Sequence, residues 1–237
     1  SDQYTKLLLH CDGADDGTTF TDSADSGGGR HTITAVGDVA NTRAQSKVGD
    51  SSIVFDGTGD YLSVPDSSDF DFGTGEFTFE AWIRPDNATC SFMSHSYYET
   101  GENGNWAVVL NASNTYFYSY DGQGSLESVN ATTGVSTGAW QHLAVERVSD
   151  TVTIYLDGTS IGSGTITKSI GECSGAFLIG EAGGNAEFDG YMDEIRISDT
   201  ARYSGAFTPS TTEFTTDSNT MLLIHSNWAG GLGADSS

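Results

Sequence analysis

Between Phe77 and Arg84 the side chains alternate without a break: Phe77, Phe79, Ala81 and Ile83 fall on one side of an extended chain, and Thr78, Glu80, Trp82 and Arg84 on the other. The first set reads as a core face. The second, with one aromatic and two charges, is either washed by solvent or looks into a groove. Just before it, Asp56-Gly57-Thr58-Gly59-Asp60 offers glycines for positive φ and carboxylates for turn hydrogen bonds, which reads as a tight reversal between two strands. The stretch from Ser51 to Arg84 therefore predicts a hairpin-built antiparallel sheet.

The rest of the chain repeats this grammar. Thr5–His10, His31–Val39, Cys90–Ser96, Trp106–Asn111, Tyr116–Tyr120, Gln141–Arg147, Val152–Leu156, Ser160–Thr167, Ala176–Gly180 and Tyr191–Ser198 read as strands, and Asp157-Gly158 is a two-residue hairpin signal. No long amphipathic helix is legible, and 30 glycines fit many short strands joined by turns. The class is all-β, with two packed antiparallel sheets forming a β-sandwich. At 237 residues and 36% hydrophobic content, one large core is the expectation.

Three blocks carry a resemblance: "FDGTGDYLSVPDSSDFDFGTGEFTFEAWIRP", "GAWQHLAVERVSDTVTIYLDGTSIG" and "FDGYMDEIRIS". In this order they resemble the laminin G-like modules of the concanavalin A-like lectin/glucanase superfamily. The resemblance spans roughly residues 5 to 200 and implies a jelly roll. That fold hosts lectins, adhesion modules, structural spacers and glycoside hydrolases, so function has to come from the site.

Charge narrows the partners. Nine Lys and Arg face 33 Asp and Glu, a net charge of −24, so nucleic acid and anionic membranes are repelled. No apolar run reaches the ~20 residues of a membrane span, and the N-terminus lacks a signal-peptide layout. The expected location is extracellular, on a cell surface or in a virion. Cys11, Cys90 and Cys173 leave at least one thiol unpaired; Cys90 and Cys173 are either buried free thiols or one bridge.

Thr5-Lys6-Leu7-Leu8-Leu9-His10 recurs as Thr220-Met221-Leu222-Leu223-Ile224-His225. The domain reading is a jelly-roll module over 1–200, a Ser/Thr-rich linker over 201–219, and a terminal strand over 220–237, expected to be ordered and β-paired, that starts a following module or docks on its own or a neighbour's sheet edge, the last supporting self-association. Trp228 is expected to anchor the turn after that strand. Removing 220–237 is expected to alter solubility or self-association more than the core fold.

Laminarinase-like members of the superfamily carry catalytic carboxylates as Glu-x-Asp-x-x-Glu on one strand, and this chain has no such run. Glu80 and Glu146 lie on different strands, and Asp193-Glu194 are adjacent and expected to point to opposite faces. Neither arrangement supplies the carboxyl pair, about 5 to 9.5 Å apart, that glycoside hydrolysis needs. The expectation is a non-enzymatic module, most simply one that recognises a glycan, with a structural or adhesive role in protein assembly as the alternative. Sugar rings stack on aromatic faces, which points to Trp82, Trp106, Tyr97, Tyr98, Tyr116, Tyr118 and Tyr120, with His142 beside them. The resemblance of Gly190–Arg196 to the family's penultimate strand further implies a structural Ca²⁺ held by Asp193, with Asp12 and the Gly49 carbonyl as partners.

Overall fold

The computed structural model describes residues 3–11, 13–24, 30–95, 104–121, 125–184 and 186–226. Asp12, Tyr97, Tyr98 and Trp228 lie outside the described residues. Along the chain run β1 (Leu7–Leu9), β2 (Thr34–Val36), β3 (Ala40–Thr42), β4 (Ser52–Asp56), β5 (Tyr61–Val64), β6 (Phe77–Pro85), β7 (Cys90–His95) and β8 (Asn105–Leu110). There follow β9 (Thr115–Tyr120), β10 (Leu126–Ala131), β11 (Gln141–Val148), β12 (Thr151–Leu156), β13 (Thr159–Thr165), β14 (Phe177–Ile179), β15 (Asp189–Ser198) and β16 (Thr220–Ile224). The described residues hold one 3₁₀ turn, Ser68–Phe70, and no helix long and apolar enough to cross a membrane.

Two sheets pack face to face. The first has the order β1-β16-β15-β6-β11-β12-β13, with β4 on β15 and β3 on β4; the second runs β10-β9-β8-β7-β14-β5-β2. The alternation in β6 carries through: Phe77, Phe79, Ala81 and Ile83 are fully buried between the sheets. Phe79 stacks on Phe77 at 4.3 Å and on Trp106 of β8 at 4.4 Å, so aromatic rings bridge the two layers. Asp157 and Gly158 both take positive φ, 49° and 74°, in the β12–β13 turn, the pattern a two-residue hairpin demands.

The reversal at Asp56–Asp60 is a corner and not a hairpin. β4 belongs to the first sheet and β5 to the second, so the chain changes layer there. Gly57 and Gly59 turn it at φ 76° each, and the Asp60 carboxylate fixes it by accepting the N–H groups of Asp56 (2.9 Å) and Asp38 (2.8 Å). Two strands were not foreseen: Ala40–Thr42 is too short to show a period, and Leu126–Ala131 is a polar edge of the second sheet. The three cysteines are buried and form no disulfide with one another, and burial pushes the Cys90 thiol up to about 12.

The two copies of the repeat lie side by side. β16 pairs antiparallel with β15 and parallel with β1, in a register that sets Leu7 against Leu222, Leu8 against Leu223 and Leu9 against Ile224. Met221, Leu222, Leu223 and Ile224 are all buried. The strand that sequence alone set apart as a terminal segment is an interior strand of the first sheet.

Candidate functional site

The outward side of β6 and its neighbours carries polar groups that the chain itself covers. Residues 201–214, which read as a linker, cross the outer face of the first sheet as a strap. Phe207 N–H donates to Gly158 O (2.9 Å), Trp82 Nε1–H donates to Ser210 O (2.9 Å), and Arg202 grips Asp217 with two hydrogen bonds of 2.8 and 2.9 Å. Tyr203 and Phe207 stack at 3.5 Å, and Phe207 stands edge-on to His142.

Beneath the strap Glu80 is fully buried. Arg196 Nη2 lies 2.6 Å and Nε 2.8 Å from Glu80 Oε1; His142 Nε2 is 3.2 Å from Oε2, which also accepts the Tyr203 hydroxyl. Burial alone would raise the Glu80 carboxyl, yet His142, Arg196 and Tyr203 together hold it below the usual range. Glu146 accepts Tyr203 N–H at 2.6 Å. Trp82, 6% exposed, has Lys47 Nζ 3.9 Å above its ring and His142 edge-on at 5.3 Å. Trp82 and His142 are thus brought together as sequence suggested, but under the strap instead of at an open groove. Trp106 is fully buried in the core, where no saccharide reaches it.

A β-bulge in β15, with Glu194 at φ 49°, inserts one residue opposite β6. As a result both adjacent carboxylates point out of the core, contrary to the regular-strand expectation. Asp193 Oδ2 accepts Lys47 and Val48 N–H, each at 2.9 Å, and Oδ1 accepts Glu194 N–H at 2.9 Å. That is a shell of donors, the opposite of the oxygen shell a calcium ion takes. The Gly49 carbonyl accepts the Ser46 hydroxyl at 3.2 Å. The chain's own amides therefore occupy both Asp193 carboxylate oxygens, and Asp12, the expected partner, lies outside the described residues.

Glu194 accepts Phe214 N–H at 2.5 Å. Burial first, offset in part by that N–H and reinforced by Asp193 and Glu213, pushes its carboxyl up to about 8 from 4.5. A raised acid holds in the fold a proton that the unfolded chain has lost, so stability falls as pH rises from about 4.5 to about 8. His225 and His95, both lowered chiefly by burial, act in the other direction near 6.5. We expect the stability difference between Glu194→Gln and wild type to shift in favour of the variant by on the order of 2–3 kcal/mol between pH 6 and pH 8. Urea melts of both proteins in metal-free buffer at the two pH values check this; a difference that does not change with pH rules it out.

The outer face of the second sheet is arranged differently. Tyr116, Tyr118 and Tyr120 alternate along β9 and remain half-exposed, opposite Asn130, Ser128 and Leu126 of β10. The Tyr116 and Tyr118 rings are nearly parallel, 5.4 Å apart at 9°. Val109 and Ala107 of β8 face them from the other side. Of the residues named from sequence, Tyr116, Tyr118 and Tyr120 stand on this face.

The concanavalin A-like lectin/glucanase superfamily matches residues 56–205, well over half the chain. The chain belongs to this superfamily. No curated protein matches it in sequence. Among solved structures, the binding domain of Paraclostridial mosquitocidal protein 1 aligns with TM-score 0.63 and 14% identity over 84% of this chain and 49% of that one. The binding domain of botulinum neurotoxin serotype G aligns with TM-score 0.61 and 12% identity over 84% and 48%. The chain therefore spans about half of each toxin domain. Domain 4 of AbnA, a GH43 extracellular arabinanase from Geobacillus stearothermophilus, was solved in complex with arabinotriose. It aligns with TM-score 0.59 and 21% identity over 87% of this chain and 97% of that one. At these identities the likeness is one of fold.

Proposed function

We propose that the chain is a non-catalytic binding module, part of a larger extracellular or virion protein, that recognises a neutral saccharide on the outer face of its second sheet. The observation that carries this reading is the ladder of Tyr116, Tyr118 and Tyr120, half-exposed on one strand beside the polar edge of Ser128 and Asn130. Aromatic faces receive the apolar side of a sugar ring while amide and hydroxyl groups bond its hydroxyls. A net charge of −24 disfavours sulfated or uronate-rich polymers. The arabinotriose complex of the arabinanase domain supports the reading by fold analogy. Catalysis has no place in it, because Glu80 and Glu146 are already engaged by Arg196 and the strap.

Exposed Leu126, 49% accessible at the end of the ladder, favours a second reading in which the same face adheres to a protein. A glycan array followed by calorimetry separates the two. We expect binding of at least one neutral oligosaccharide, at least tenfold weaker binding for Tyr118→Ala with an unchanged melting temperature, and no reducing ends released. An empty array, or full affinity in Tyr118→Ala, would overturn the saccharide reading.

A further inference from the structure

The tyrosine face of the second sheet is a strip with one long dimension. On its inner flank the chain after β14 lies over β7 and β8: Gly180 N–H donates to Phe92 O (2.9 Å), the Ser94 hydroxyl to Glu181 O (2.8 Å) and the Ser91 hydroxyl to Ala186 O (2.9 Å). Ala182 of that segment is buried against Ala107, Val109 and Tyr118, so a wall stands beside β9. On the other flank β10 is the last strand of the sheet. What remains open is two strands wide, about 10 Å at roughly 4.8 Å per strand. Along the six residues of β9 it is about 20 Å long at roughly 3.4 Å per residue. A saccharide of several units fits such a strip only lengthwise.

The rungs of the strip differ. Tyr116 pairs with Asn130, Tyr118 with Ser128 and Tyr120 with Leu126, and all three β10 side chains are exposed. Asn114 Nδ2 donates to Ala131 O (3.3 Å) and to Asn130 Oδ1 (2.9 Å). A backbone carbonyl can only accept, which fixes the Asn114 amide and obliges Asn130 to turn its oxygen toward it. The Asn130 NH₂ group therefore points away from Asn114 as an oriented donor beside the Tyr116 ring. The Tyr116 and Tyr118 ring centres are 5.4 Å apart. Holding a sugar between two rings takes two contacts of about 3.5–4.0 Å, roughly 7–8 Å in all, so a sugar lies over these rungs and not between them.

We propose that the strip binds a linear, unbranched stretch of neutral saccharide laid along β9, in three consecutive positions over Tyr116, Tyr118 and Tyr120, with Asn130 as the donor that fixes the first position. The inference rests on the saccharide reading of this face and adds to it the shape and length of the ligand. Asn130 and Ser128 bond hydroxyls of the first two units, while Leu126 offers the third only apolar contact. Side branches on the inner edge of the saccharide meet the wall at Ala182.

Calorimetric titration of the full chain with cello-, xylo- and arabino-oligosaccharides of one to five units tests the arrangement. In at least one series we expect affinity to rise at least tenfold from one unit to three and less than threefold from three to five. Tyr116→Ala and Asn130→Ala should each weaken binding of that trisaccharide at least fivefold with unchanged melting temperature, and Thr153→Ala on the opposite sheet should leave it unchanged. A monosaccharide bound within twofold of the trisaccharide, or full affinity in Asn130→Ala, would overturn the inference and leave saccharide recognition standing. Binding of none of the three series would also overturn it, and an empty glycan array beside that result would remove the saccharide reading as well.

Discussion

A chain ended at Asn219 is expected not to fold. The deletion removes β16 from between β15 and β1 and with it the buried side chains of Met221, Leu222, Leu223 and Ile224. At about 1.5–3 kcal/mol for each large apolar side chain buried, the loss is roughly 6–12 kcal/mol. That is comparable to the whole stability of a typical domain, about 5–15 kcal/mol. Open N–H and C=O groups on β15 and β1 add to it. Circular dichroism of the truncated chain should show no cooperative melt above 20 °C, under conditions where the full chain melts cooperatively. A cooperative transition in the 219-residue chain would mean that β1 moves into the vacant position beside β15. The sequence led to a segment that is ordered and β-paired, and Thr220–Ile224 is; the milder effect expected of the deletion is reversed because β16 lies inside the first sheet instead of adding to its edge.

The second large effect is expected at Glu80. Replacing it with Ala leaves the Arg196 guanidinium, the His142 ring and the Tyr203 hydroxyl beneath the strap without their common acceptor. Removing one partner of a buried ion pair costs about 3–5 kcal/mol. For a domain of this size that lowers the melting temperature by roughly 10 °C. Tyr203→Phe, which deletes one donor and keeps the ring on Phe207, should cost only about 1–2 kcal/mol. Because the folded Glu80 carboxyl lies below its ordinary 4.5, its contribution is complete above that pH and is lost as acid protonates it. Thermal melts of Glu80→Ala, Tyr203→Phe and wild type at pH 7 decide the matter: a fall of less than 3 °C in Glu80→Ala would show that the network does not hold the strap.

The layers of the sandwich were legible because alternation reports burial directly. Phe77 to Ile83 could face only a core, and Asp157-Gly158 could make only a tight turn. The same alternation in Trp106, Val108 and Leu110 marks Trp106 as a core residue, a signal that outweighs its aromatic chemistry. The corner at Gly57–Asp60 shows why turn residues are not enough: they specify how the chain bends, while the choice of sheet depends on partners far away in sequence, here β15 and β14. The strap was hidden by composition, since a Ser/Thr-rich stretch with a proline looks alike whether it hangs free or packs. Its clue was the trio Tyr203, Phe207 and Phe214, three rings that a solvated linker has no use for. Tyr116, Tyr118 and Tyr120 were legible because an exposed strand face shows its aromatics in plain period two. The bulge at Glu194 left no trace in the sequence, because one extra residue in a strand is invisible until its partner is known.

The parallel pairing of β1 with β16 sets an order on how the molecule comes into being. Leu9 finds Ile224 only when every residue between them has been made, and β15 gains its neighbour on that side at the same moment. A chain emerging from the ribosome therefore carries Leu7, Leu8 and Leu9 without their strand partner until Ile224 has emerged, and loop closure over the intervening residues precedes any reward from that contact. β1 precedes the other described strands in the chain and is among the last to gain its partner.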